Sequence, residues 1–137
     1  MKGPVLLDTG PLVALLNRRE KSHARVTAVL EQLPVPLLTV EPVLAEAAFL
    51  VRGVRGAPAR VLGLVRDGFV RVPVSIESQA AELAALLDRY ADVPMSLADA
   101  CLVRLVELMP DASVLTFDSD FTIYRAQKRK VIQLVDL

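Results

Sequence analysis

Val5-Leu6-Leu7 is a short apolar run that stops at an acid. Asp8-Thr9-Gly10-Pro11 then opens an apolar pattern of helical period through Leu12, Val13, Leu15 and Leu16. Few folds accommodate that junction: a buried strand ends in a tight turn and feeds a helix directly, the first half of a βαβ unit. In open α/β sheets, ligands bind at the carboxyl ends of the strands, so Asp8 stands where chemistry would be placed. Asp before Thr-Gly-Pro is equally a turn and cap residue. What separates the two readings is whether other acids reach the same place.

The rest of the chain repeats the alternation. A charged corner, Arg18-Arg19-Glu20-Lys21, leads to a helix expected over about 22–32, with Val26, Val29, Leu30 and Leu33 at helical spacing. Pro34 and Pro36 close it, and Val35 to Thr39 reads as the second strand. Pro42 suits the first turn of the next helix, which carries Val43, Leu44, Ala47, Leu50 and Val51. Gly53 and Gly56 break the chain before a helix reaching about Arg66, and Gly68 precedes a third strand, Phe69 to Val72. A long Ala- and Leu-rich helix is expected over about 76–90. Ser96-Leu97-Ala98-Asp99 opens another to about Met109, Ser113 to Thr116 forms a fourth strand, and Val131 to Val135 a last one. Strands alternating with helices predict one α/β domain over residues 1–137, with a largely parallel sheet covered on both faces.

Composition narrows the function. The chain has 137 residues, 53% hydrophobic but only 4% aromatic, so its core must be Leu, Val and Ala. Charged residues interrupt every apolar run well short of the roughly 18–20 residues of a membrane span, and no export signal is visible at the amino end. A cytoplasmic protein without a membrane is the expectation. Cys101 stands alone, which rules out an intramolecular disulfide and a cysteine-rich metal knuckle. Lys and Arg balance Asp and Glu at 16 each. Indiscriminate nucleic-acid binding is therefore disfavoured, though a local basic patch is not.

In a βαβ chain each helix begins at the end of the sheet where the preceding strand stops. Asp8 follows the first strand there, Asp118 and Asp120 follow the fourth, and Asp99 lies in the first turn of the helix leading to that strand. Glu46, about one turn into its helix, has the length to reach back. Each acid also has a local explanation. Asp99 completes a Ser-x-x-Asp capping box, Asp118 and Asp120 suit a turn with Ser119, and Glu46 stands in an apolar stretch where a charge is costly unless paired or liganded. Together the acids favour a metal site, because clustered carboxylates repel unless a cation neutralises them. Only oxygen ligands are on offer. His23, the one histidine, lies outside the acidic segments, so Mg²⁺ or Mn²⁺ suits the set better than Zn²⁺ or copper. Such an ion polarises phosphoryl oxygens, which makes a phosphodiester the natural substrate. No phosphate-binding glycine loop or Ser-His-Asp set is present. Gly10 stands where a haloacid-dehalogenase-like phosphatase needs a second Asp.

These residues resemble a PIN-domain ribonuclease, and more narrowly a VapC-type toxin of a toxin–antitoxin pair. The likeness runs over essentially the whole chain through Leu7-Asp8-Thr9-Gly10, Val43-Leu44-Ala45-Glu46, Ser96-Leu97-Ala98-Asp99-Ala100 and Leu115-Thr116-Phe117-Asp118-Ser119-Asp120-Phe121. It implies a three-layer α/β/α fold whose parallel sheet of about five strands has the order 3-2-1-4-5. It also implies an Mg²⁺ or Mn²⁺ cofactor and cleavage of single-stranded or loop RNA. Asp8, Glu46, Asp99 and Asp118 map to the family's catalytic acids and Asp120 to a further acid often present, while Asp92 matches an acid expected to be structural. On that basis Asp8 and Asp99 are the primary ligands. Asp118 completes the cluster, and Glu46 orients or deprotonates the attacking water or shares a metal. Thr9 and Thr116 support with hydroxyl contacts, and Ser96 caps the Asp99 helix.

For the RNA backbone the candidates are Arg125, Lys128, Arg129 and Lys130, and secondarily Arg18, Arg19 and Lys21. The alternative for the first run is a solvated connection before the last strand. Tyr124 or Phe121 is a candidate for stacking on a base, with Phe121 alternatively a core residue. The resemblance further implies a cognate antitoxin and a homodimer, for which the apolar helices 22–32 and 43–54 offer surface. The competing functions are a PIN nuclease of RNA processing without an antitoxin, and a non-catalytic RNA- or protein-binding module on the same scaffold.

Overall fold

The computed structural model describes residues 3–137. Strands β1 (Val5–Leu7), β2 (Leu37–Leu38), β3 (Val70–Arg71), β4 (Ser113–Leu115) and β7 (Gln133–Leu134) form one parallel sheet in the order β3-β2-β1-β4-β7. Leu6 of β1 lies opposite Leu38 on one side and Val114 on the other, so β1 and β4 are neighbours at the centre. Both are buried along their whole length, as expected where helices cover both faces of a parallel sheet.

The helices are α1 (Thr9–Leu16), α2 (His23–Leu30), α3 (Glu41–Leu50), α4 (Ala57–Arg66), α5 (Ala80–Arg89) and α6 (Leu97–Leu108). The connections β1→β2→β3 step across the sheet in one direction, and β3→β4 steps back. Right-handed crossovers therefore put α1–α4 on one face and α5 and α6 on the other. Within the first layer α1 packs on α2 and α3, and α3 on α4; in the second α5 packs on α6. Several boundaries are local chemistry. The Asp8 carboxylate accepts a hydrogen bond from Thr9 N at the start of α1, and Ser96 Oγ accepts one from Asp99 N at the start of α6. A proline sits in the first turn of both α3 and α4. Gly56 and Gly68, which bracket α4, have φ of 76° and 83°, a region where a side chain is strained.

Two expected elements differ. The helix expected over 76–90 begins as a 3₁₀ turn, Glu77–Gln79, before α5 proper. The strand expected over Val131 to Val135 is divided between two partners. Lys130–Val131 (β6) pairs antiparallel with Arg125–Ala126 (β5), and only Gln133–Leu134 joins the sheet, opposite Ser113 and Val114. The fifth place in the sheet is filled as expected, but by the seventh strand of the chain. The hairpin holds Gln127 and Lys128 at φ of 51° and 69°, which for non-glycine residues costs about 1–2 kcal/mol each. Among the described residues no helix is long and apolar enough to cross a membrane.

Candidate metal centre

β1 and β4 end side by side, and the acids that follow them arrive together. Asp8 N donates to Leu115 O at 3.0 Å, which continues the sheet to the last position before the turn. Both Asp8 oxygens have donors: Thr9 N to Oδ1 at 2.7 Å and Thr116 Oγ1 to Oδ2 at 2.6 Å. Thr116 Oγ1 also accepts from Asp118 N at 2.9 Å, so one hydroxyl links the β1 acid to the β4 turn. Asp118 Oδ1 in turn accepts from Asp120 N at 2.9 Å and shapes the 3₁₀ turn Ser119–Thr122. Across the rim, Ser96 fixes the first turn of α6, and Asp99 Oδ2 accepts from Tyr124 Oη at 2.7 Å.

Asp99, Asp118 and Asp120 each place a carboxylate oxygen within 4.8 Å of the others. Asp8 adjoins this trio rather than belonging to it: its charge acts on Asp99, and it feels Asp118 and Glu46. Asp120, the peripheral acid of the sequence reading, is thus among the three that could share an ion. Glu46 reaches the rim, but not as a buried charge. Its side chain is exposed, and Oε2 accepts from Thr9 Oγ1 at 2.9 Å. The cost of burying Glu46 therefore does not argue for its role; the direction in which α3 presents it does.

Burial pushes the Asp8 carboxyl above its usual range. The Thr116 and Thr9 hydrogen bonds oppose that rise, and the Asp118 and Glu46 charges add to it. Burial is also the main cause that raises Asp99 to about 6, with Tyr124 and Ser96 opposing and Asp8 and Asp118 reinforcing. Among the described residues the ion pairs are Arg66–Asp67 and Arg104–Glu107, so no Lys or Arg neutralises the rim. Crowded, partly buried carboxylates without a counter-charge fit a divalent cation, and the all-oxygen donor set fits a hard one.

The basic candidates lie elsewhere. Gln127 N bonds Glu107, and Lys130 Nζ donates to Pro110 O. Glu107 lies at the far end of α6, about 12 Å along the helix from Asp99 at 1.5 Å per residue, and Pro110 lies just beyond that end. The hairpin carrying Lys128, Arg129 and Lys130 therefore runs away from the acids. Arg125 turns its guanidinium back onto the carbonyls of Thr122, Ile123 and Tyr124. Arg18 and Arg19 line a groove of about 1210 Å³ together with Arg55, Arg60, Leu50 and Val54. That groove opens at the end of α1 opposite Asp8.

Neither aromatic considered for stacking is available. Tyr124 and Phe121 are both 0% exposed, because their rings fill the space beneath the β4 turn. The accessible aromatic at the rim is Phe117, which lies against Gly10, with the Arg25 guanidinium 5.6 Å from its ring centre. Asp92 is exposed, and His23 Nδ1 lies 2.7 Å from Ala14 O between α1 and α2. Two supporting residues had no sequence signal. Thr39 Oγ1 donates to Leu7 O at 2.7 Å just before the Asp8 turn, and Tyr124 bonds Asp99 from 25 residues away.

The geometry can be set beside known proteins. Among solved structures the fold is similar to that of VapC20 from Mycobacterium tuberculosis, a toxin described as cleaving the sarcin–ricin loop. The TM-score is 0.76 at 20% identity, covering 87% of this chain and 93% of that one, a likeness that speaks to the fold. No curated protein matches the sequence. The family model of the PIN domain matches residues 5–127, from the first residue of β1 to the turn between β5 and β6. The chain belongs to the PIN domain family.

Proposed function

We propose that the protein is an Mg²⁺- or Mn²⁺-dependent endoribonuclease of the cytoplasm that hydrolyses RNA phosphodiester bonds and serves as the toxin of a toxin–antitoxin pair. One observation carries the reading: four aspartates from β1, α6 and the β4 turn meet at one rim, and among the described residues no basic side chain pairs with them. Membership of the PIN family supports nuclease chemistry, and the description of VapC20 as a toxin supports the biological role.

Asp99, Asp118 and Asp120 would hold the ion, with Asp8 beside them. When bound, the ion supplies Lewis-acid polarisation of a phosphoryl oxygen and lowers the pKa of water. The remaining work falls to the chain. Thr116 and Thr9 hold the Asp8 carboxylate from two sides, so its charge stays fixed at the rim. Thr9 also ties Glu46 by Oε2, and Oε1, which has no hydrogen-bond partner among the described residues, would take the proton of the attacking water. That geometry suits a general base, which must lie within hydrogen-bond reach of the proton it removes. The exposed Phe49, Leu50 and Leu62 on α3 and α4 support apolar docking of a cognate antitoxin and self-association as a homodimer.

The test is cleavage of labelled single-stranded and loop RNA by purified protein. Cleavage should require Mg²⁺ or Mn²⁺, stop with EDTA, and fall at least a hundredfold in Asp8→Asn. Activity retained in Asp8→Asn overturns the site. For the toxin role, induced expression should arrest growth, and a neighbouring reading frame should encode a small protein with a DNA-binding amino end. Unchanged growth overturns that role and leaves the ribonuclease standing.

A further inference from the structure

Tyr124 is the largest fully buried side chain in the protein, yet it carries a hydroxyl that needs a partner. Its ring stands edge-on between Tyr90, at 5.1 Å and 71°, and Phe121, at 5.2 Å and 86°. Tyr90 is itself held, since its hydroxyl accepts from Arg125 N at 2.9 Å. The Tyr124 hydroxyl has one place to go in this packing, and it donates to Asp99 Oδ2 at 2.7 Å. Among the described residues the other oxygen of Asp99 has no donor. The backbone of the same residue points the other way: Tyr124 N donates to Asp120 O at 3.2 Å and closes the 3₁₀ turn that carries Asp118 and Asp120.

One residue therefore grips both halves of the acidic cluster, the helix acid through its side chain and the turn acids through its main chain. We infer that Tyr124 is a positioning residue for divalent-cation binding, coupling the Asp118–Asp120 turn to Asp99 so that the three ligand oxygens keep their spacing. The inference rests on the metal-centre reading above. Its physical basis is that a carboxylate ligand held by an outer hydrogen bond offers a single orientation to the ion. Removing such outer partners typically weakens metal binding 10–100-fold. A free Asp99 carboxylate would instead swing about its side-chain torsions and approach the ion in several ways.

The test is direct Mn²⁺ binding to the metal-free full-length chain, by calorimetry and by the electron paramagnetic resonance of free Mn²⁺, with no RNA present. Tyr124→Phe keeps the ring and removes the hydroxyl, and should bind Mn²⁺ about tenfold or more weakly than wild type. Tyr90→Phe removes a hydroxyl from the same aromatic cluster that does not touch Asp99, and should bind as wild type does. Circular dichroism establishes that both variants are folded before titration. Tyr124→Phe binding within twofold of wild type, or Tyr90→Phe weakened equally, overturns the inference while metal binding by the wild type stands. A wild-type protein that binds no Mn²⁺, or an Asp99→Asn variant that binds it undiminished, overturns the metal-centre reading and this inference with it.

Discussion

Replacing Asp99 by Asn should stabilise the metal-free protein while removing its function. Burial, chiefly, pushes the carboxyl up from the ordinary 3.8 to about 6, with the charges of Asp8 and Asp118 reinforcing and the Tyr124 and Ser96 hydrogen bonds opposing. The folded state therefore resists ionisation of Asp99 more than the unfolded chain does. The resulting penalty is absent below pH 4, grows between pH 4 and pH 6, and is complete above pH 6. At about 1.36 kcal/mol per pH unit the displacement corresponds to at most about 3 kcal/mol. Water at the rim screens part of it, so about 1–2 kcal/mol is the expected gain for a neutral side chain at pH 7.5. Asn keeps the local contacts, since its amide oxygen can accept from Tyr124 and its backbone N–H still bonds Ser96 Oγ.

For 137 residues, at about 2.1 cal/mol/K per residue, that gain raises Tm by about 3–7 °C. The assay is thermal unfolding by circular dichroism of EDTA-treated wild type and Asp99→Asn from pH 4 to pH 8. The variant should gain at pH 7.5 and lose that advantage at pH 4. Saturating Mn²⁺ should raise the Tm of the wild type and leave the variant unmoved. A variant less stable than wild type at every pH, or a gain independent of pH, would refute the account of Asp99 as a strained, uncompensated charge.

Two other outcomes follow from the same geometry. Thr116→Val is nearly isosteric but removes the donor to Asp8 Oδ2 and the acceptor for Asp118 N. It should cost about 1–3 kcal/mol in chemical denaturation and slow single-turnover RNA cleavage about 10–100-fold. Burial pushes the Cys101 thiol up to about 11, with the Glu41 charge adding to the effect. The native protein at pH 8 should therefore leave a disulfide reagent unreacted over a period in which the denatured chain reacts fully.

The site and its scaffold were legible to different depths. Alternating strand and helix signals identified a parallel sheet, and the caps at Asp8 and Ser96 stand where their local patterns put them, because capping involves residues one to three apart. The same local signals brought Asp8, Glu46, Asp99, Asp118 and Asp120 to one rim. They were silent on packing. The basic run after Thr122 reads as an extension of the acidic turn, but the β5–β6 hairpin carries it along α6 to Glu107 and Pro110. Tyr124 and Phe121 have the chemistry of stacking residues, and burial removed them from that role. Glu46 shows the converse: an apolar neighbourhood in sequence corresponds to an exposed position on α3.

The sequence by itself determined the order of the elements and the end of the sheet at which each acid emerges. Both follow from short-range rules: period, caps, and the alternation of upward strands with downward helices. Only the tertiary structure decided which acids could share an ion. The oxygens of Asp99, Asp118 and Asp120 lie within 4.8 Å because α6 begins beside the end of β4 and Tyr124 reaches Asp99 across 25 residues. Whether a polar group is exposed, paired or clamped depends on side chains brought together from distant parts of the chain. No local pattern encodes that, and it is the difference between five acids at one rim and three whose oxygens lie close enough to share a cation.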